Sequence, residues 1–230
     1  MNLGYGLEKE QGYASDDDSI PDYRGAMRWY ARAAELGDPK AKLNLANLYH
    51  YGHGVRKNYR KAAEIYKELA VSGDVKEYFY LGLYFQNGFH FKQNYDAARC
   101  FYGMAAARDD SYSMLNFGLM YSKGLGVAVD PKKALYWYLQ AGETGYALAY
   151  VNIGWFFENG LAVEQDYEQA VLWYIKGAAA GEPHAMRSLG AMYERGRGVE
   201  EDREQAEYWR CCQLKKSRHT SVLFLASGAR

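Results

Sequence analysis

"LGAMYERGRGV", residues 189–199, is an apolar and aromatic run that ends in glycines. Two readings compete for such a stretch: a glycine loop that cradles phosphate, or a joint between helices that recurs along the chain. Recurrence decides between them. The same outline stands as "FGLMYSKGLGV" at 117–127, "IGWFFENGLAV" at 153–163 and, more loosely, "LGLYFQNGFHF" at 81–91. No strand-like run precedes these glycines and no Gly-Lys-Ser/Thr ending follows them, so they read as turns.

The period is read outward from this motif. Its small residue falls at Ala46, Gly82, Gly118, Gly154 and Gly190, each 36 after the last, with Gly6 opening the series 40 before Ala46. A glycine follows six positions later at Gly12, Gly52, Gly88, Gly124, Gly160 and Gly196. Next comes Asp22, Asn58, Asn94, Asp130, Asp166 or Asp202, whose side-chain oxygens suit the free N–H groups at a helix start. Pro131 behind Asp130 fits the first helical position, where a missing N–H costs nothing. Each cap leads to an alanine (Ala26, Ala62, Ala98, Ala134, Ala170, Ala206) and then to Trp29, Ile65, Phe101, Trp137, Trp173 or Trp209. Tyrosine follows at Tyr30, Tyr66, Tyr102, Tyr138 and Tyr174; only Arg210 departs.

Within a unit, Ala62, Ile65, Tyr66, Leu69 and Ala70 share one helical face, and Ala41, Leu45, Leu48 and Tyr49 are expected to do the same on the preceding helix. Gly37, Gly73, Gly145 and Gly181 are expected to end the second helix of their units, with Asp109 and Ser217 standing in that place elsewhere. A single helix pair cannot bury its aromatic face, whereas stacked pairs share a continuous core. The expected fold is therefore an all-α, right-handed α-solenoid of about six helix-turn-helix repeats, as one domain over residues 1–218 with units 1–38, 39–74, 75–110, 111–146, 147–182 and 183–218. The first unit inserts four residues around "SDDDS" and carries Glu8 and Lys9 where later units have Leu48 and Tyr49, as a water-facing end cap would. Residues 219–230 read as an apolar tail: "SVLFLA" has no charge and no proline, and is expected to cap the last helix pair or to dock in a groove of its own or a second molecule.

These motifs resemble the Sel-one-like repeat (SLR) family, relatives of the tetratricopeptide repeats, in the pattern LG-x-x-Y-x-x-G-x-G-V followed by D-Y-x-x-A-x-x-W-Y-x-x-A-A-x-x-G. Residues 45–73, 117–145, 153–181 and 189–209 carry it most clearly. The resemblance implies a non-enzymatic scaffold or adaptor that holds other proteins. Some relatives are secreted and brace each helical hairpin with a cysteine pair; this chain has only Cys100, Cys211 and Cys212, which separates it from the roles of those relatives.

Composition agrees. The 230 residues are 49% hydrophobic and 24% charged, with Lys+Arg and Asp+Glu balanced at 28 each, so no net field draws the chain to nucleic acid. No apolar run is long enough for a membrane span, and the sparse cysteines suit a reducing, cytoplasmic setting; a periplasmic or secreted one applies if a signal was trimmed from the numbered chain. Oligomeric state is not legible. His50 and His53 lack the further ligands of a zinc site, Asp16, Asp17 and Asp18 lack the spaced ladder of a calcium loop, and no nucleophile meets a base and an orienting acid. No catalytic residue, metal or cofactor is assigned, and the adjacent Cys211 and Cys212 point to different faces of their helix.

The expected ligand is a protein or peptide. Likeness to the tetratricopeptide repeats implies contacts from the first helix of each pair, on its concave side, two residues before and one after the small residue. Those positions hold Asn44, Tyr80, Asn116 and Asn152, and Asn47, Leu83, Leu119 and Trp155. Asparagine both donates and accepts, which suits a peptide backbone, while Leu83, Leu119 and Trp155 supply apolar anchors. Lys40, Lys76, Tyr112, Leu148 and His184 belong to the rim, basic in its first half and apolar in its second. Two alternatives stay open: the asparagines satisfy neighbouring backbone instead, or the same face serves an immunity-type inhibitor of one enzyme.

Overall fold

The computed structural model describes residues 22–71 and 75–228, with side chains up to Lys216. The described residues form eleven helices and no strand. They alternate as second and first members of successive pairs: α1 (Tyr23–Glu35), α2 (Pro39–Tyr51), α3 (Tyr59–Ala70), α4 (Val75–Asn87), α5 (Tyr95–Ala106), α6 (Ser111–Lys123), α7 (Pro131–Glu143), α8 (Ala147–Asn159), α9 (Tyr167–Ala179), α10 (Pro183–Arg195) and α11 (Arg203–Gly228). Even-numbered helices are called A and odd-numbered ones B. Two compact units divide within α3, one reaching Ile65 and the other running from Tyr66 to Val222. The expectations for Gly6, Glu8, Lys9, Gly12, the "SDDDS" insert and Gly73 fall outside the described residues.

Every expected B-helix cap forms. Asp22, Asn58, Asn94, Asp130, Asp166 and Asp202 each accept from the backbone N–H three residues on, at 2.9–3.1 Å. The N–H of the same residue closes the preceding loop in five copies: Asn58, Asn94, Asp130, Asp166 and Asp202 donate to the carbonyls of Tyr49, Phe85, Tyr121, Phe157 and Tyr193 at 2.8–3.0 Å. One residue thus starts a helix and fixes how the chain leaves the previous one. At the other end of that loop, Gly52, Gly124, Gly160 and Gly196 are left-handed C-caps. Two residues further on, His90 and Ala162 keep the same positive φ (66° and 65°) that Gly54, Gly126 and Gly198 adopt in other copies.

In the first unit α1 packs on α2. Ala41, Leu43, Ala46 and Leu48 of α2 are buried, while Leu45 and Tyr49 are only half-buried, so the one-face pattern expected of this helix does not describe it. His50 is buried beside Tyr51 and Tyr59, and burial, aided by the charge of Lys57, pushes its pKa down to about 4. His53 stacks on Tyr23 at 4.6 Å between ring centres.

In the second unit two A helices lie between B helices: α6 contacts α5 and α7, and α8 contacts α7 and α9. Burial therefore wraps well round the A helix. The repeating tyrosines Tyr66, Tyr102, Tyr138 and Tyr174 are buried to within 2% of complete, and three of them lie flat on a glycine of their own A helix. A Cβ added to Gly82, Gly118 or Gly154 meets Tyr102, Tyr138 or Tyr174 ring carbons at 2.6–2.7 Å, so a larger residue at these three positions would push the ring away. Tyr174 donates from its hydroxyl to Glu158 Oε2 at 2.7 Å. Arg210, the one departure from tyrosine, replaces that bond with an ion pair to Glu194, which stands 36 residues after Glu158, at 2.6 Å.

B helices end as expected at Gly37, Gly145 and Gly181, and Asp109 takes the same left-handed conformation (φ 61°). Ser217 does not end its helix. With no glycine or proline near it, α11 runs unbroken to Gly228, and the packing expected of residues 219–230 concerns side chains outside the description.

Candidate functional site

The A helices of the second unit carry most of the expected contact residues, and two-sided packing sorts them. Tyr80 lies in the core. It is 2% exposed and stacks on Tyr66 at 4.5 Å, which draws this copy's ring into the core. Leu83, Asn116, Leu119 and Asn152 are half-buried, and Trp155 is 45% exposed. In the first unit, Lys40 is exposed and Asn44 and Asn47 are half-buried, with Asn44 Oδ1 lacking a protein partner.

Asn116 donates from Nδ2 to the Tyr112 carbonyl one turn earlier at 2.8 Å. One N–H is therefore committed, which fixes the side chain and leaves its oxygen as an acceptor. Asn87 and Asn159 make the same back-bond, to the carbonyls of Leu83 and Trp155 at 2.9 and 2.8 Å. These two went unread in the sequence; an asparagine four residues after two of the three apolar anchors was the available signal, Lys123 standing at that place after Leu119.

At the rim, Tyr112 packs against Phe79 and Tyr146, at 5.7 and 4.8 Å between ring centres, which makes it a structural contact. Lys76 is exposed, but its charge acts on Asp110, whose carboxyl is raised by burial and drawn back down by Ser113 and Lys76. Burial also raises the Tyr146 hydroxyl, with Tyr112, Glu182 and Asp110 adding to the shift. The rim thus mixes acids with its lysine, and the expected basic first half is partly neutralised where Lys76 stands.

Among the described residues no group of three or more His, Cys, Asp or Glu is arranged to hold a metal. Cys211 is exposed, while Cys212 packs against the core formed by α9 and α10, as their adjacent positions require. No described helix is long and apolar enough to cross a membrane.

Alternating helices with recurring caps, recurring buried tyrosines and one repeated loop define a helical-repeat solenoid. The chain belongs to the Sel1 repeat family, whose profile matches six times, over residues 1–38, 39–74, 78–110, 111–146, 147–182 and 183–209. Among solved structures it is similar to a Sel1 repeat protein from Oxalobacter formigenes, with 30% identity over 84% of this chain and 79% of that one and a TM-score of 0.78. It is also similar to an SLR-fold protective antigen of uropathogenic Escherichia coli, with 31% identity, 82% of this chain, only 40% of that one, and a TM-score of 0.73. An immunity protein from Pseudomonas aeruginosa shares the fold at 23% identity and a TM-score of 0.64, over 88% of this chain and 77% of that one. No functionally curated protein matches the chain.

Proposed function

We propose that the chain is a non-enzymatic scaffold that binds a protein or peptide along its A helices, with Leu83, Asn116, Leu119, Asn152 and Trp155 as the contact residues of the second unit. Asn44, Asn47 and Lys40 hold the matching register in the first. The observation that carries this reading is Trp155, a large ring left 45% exposed on a helix whose other apolar side chains are buried or half-buried. Tryptophan in such a place is the residue type that dominates protein interfaces. Asn159, bonded to the Trp155 carbonyl, adds a rigid polar group beside it, Asn116 is held in the same way on α6, and a preformed surface spends little ordering entropy on binding.

The test is affinity capture from the source cell with the wild-type chain, a Trp155→Ala variant and an Asn116→Ala/Leu119→Ala/Trp155→Ala variant, read by mass spectrometry after circular dichroism has checked folding. Loss of a captured protein with both variants supports the reading; retention of the same proteins overturns it. The fold shared with immunity proteins makes stoichiometry informative: one dominant enzyme at equal stoichiometry marks an inhibitor, and an assembly marks an adaptor.

A further inference from the structure

Three B helices of the second unit, α7, α9 and α11, carry a stripe outside the A-helix face, of which Leu139 packs against the core. Residues spaced i, i+4, i+7 and i+11 lie on one narrow side of a helix. On α9 these are Glu168, Leu172, Ile175 and Ala179, all exposed. The same register gives Lys132, Tyr136, Leu139 and Glu143 on α7, and Glu204, Tyr208, Cys211 and Lys215 on α11. Only Leu139 of these twelve is half-buried. Tyr136, Leu172 and Tyr208 recur one per repeat at 53%, 51% and 56% exposure, and Ile175 is 41% exposed. The stripe is not a requirement of the fold, because α3 fills its first positions with Arg60 and Glu64, ion-paired at 3.1 Å.

The order of charges says what covers it. Each of the two flanking helices is apolar at the centre of the stripe and oppositely charged at its ends: Lys132 and Glu143 on α7, Glu204 and Lys215 on α11. A helix of that pattern is complementary to its own copy lying antiparallel across it. On α7 the signs also oppose the helix dipole, with a lysine in the first turn and a glutamate in the last. Within the helix Glu143 accepts only a hydrogen bond from Gln140, at 3.1 Å, and a partner's lysine there would offset the unfavourable placement.

We infer that this face binds a second copy of the chain, about a two-fold axis that crosses α7, α9 and α11 at the middle of the stripe. Each B helix then meets its own copy antiparallel. Leu172 packs on Ile175 of the other copy and the reverse, Tyr136 and Tyr208 flank them, and Lys132 and Lys215 face Glu143 and Glu204 across the axis. Such an isologous contact uses the same patch on both molecules and closes at a dimer. It leaves the A-helix face open, so the inference does not depend on the function proposed above.

Sedimentation velocity on the full chain, in a dilution series reaching roughly 100 μM, tests it. The wild-type chain is expected to show a monomer–dimer equilibrium, and Leu172→Glu to abolish it. Lys132→Glu and Glu143→Lys each place like charges across the axis and are expected to raise the Kd roughly tenfold or more. Mixing these two variants restores both pairs and recovers the dimer. All three substitutions are at exposed positions, so thermal midpoints measured at dilutions where the wild-type chain is monomeric are expected to stay near the wild-type value. A wild-type chain that stays monomeric throughout, a dimer that survives the charge reversals, or a loss that mixing does not repair overturns the inference.

Discussion

Replacing Gly154 with alanine tests the ring-on-glycine contact that recurs in the repeats. The new methyl group falls 2.7, 2.8 and 3.1 Å from three ring carbons of Tyr174. Carbon atoms in contact rest at about 3.5–4.0 Å, so the ring has to retreat by roughly 1 Å. Tyr174 has little room to do so, being 1% exposed and held by its hydroxyl to Glu158 at 2.7 Å. Overpacking of this kind costs about 1–3 kcal/mol, against a gain of roughly 1 kcal/mol for alanine over glycine in a helix. Gly190 is the control. There an added Cβ meets the Ala206 carbonyl at 3.2 Å and Trp209 Cβ at 3.5 Å, with no ring across it because Arg210 replaces the tyrosine. The helical gain nearly offsets that milder crowding. Thermal unfolding followed by circular dichroism should place Gly154→Ala below Gly190→Ala by several degrees, at roughly 2–4 °C per kcal/mol for a chain of this size. Adding Tyr174→Leu to Gly154→Ala should recover part of the loss as a coupling between neighbours. Equal midpoints for the two alanine variants would refute the ring-on-glycine account.

Stability of the first unit should fall in acid. His50 carries a folded-state pKa of about 4 against an ordinary 6.5, so the unfolded chain takes up the proton first. The contribution of the neutral ring is complete above pH 6.5 and is lost as the pH falls toward 4, on the order of 3 kcal/mol; a denaturant series across that window should show the slope, and His50→Phe should flatten it. Ala162→Gly should raise the thermal midpoint, because alanine at φ 65° bears a left-handed strain of about 1 kcal/mol that glycine does not. Asp166→Ala removes the acceptor for the Gln169 N–H and should destabilise by about 1 kcal/mol in the same melt.

The B-helix starts were fully legible because Asp or Asn at a fixed interval has one dominant use, and all six caps form. The A-helix caps were not read: Asp38, Asp110 and Glu182 cap α2, α6 and α10, whereas Tyr146 starts α8 with no side-chain cap. Acidic residues there also suit an exposed turn, and one copy lacks them. Tyr80 shows the limit of transferring contact positions between repeat families. Its offset from Gly82 matches that of Asn116 from Gly118, yet stacking on Tyr66 draws it into the core. The B-helix stripe went unnoticed for a different reason. Its spacing is that of a buried face, and only the exposure of Tyr136, Leu172 and Tyr208 distinguishes it from one.

The bond from each B-helix cap back across its loop has a consequence for how such a chain changes length. Asn58, Asn94, Asp130, Asp166 and Asp202 each reach a carbonyl nine positions upstream, so every joint is assembled from residues of its own unit. Excising 36 residues, for example 111–146, removes one joint whole and leaves the parts of the others intact. Lineages of these proteins can therefore gain or shed units by in-frame duplication and deletion, and the reach of the scaffold becomes a trait that recombination adjusts in steps of one helix pair.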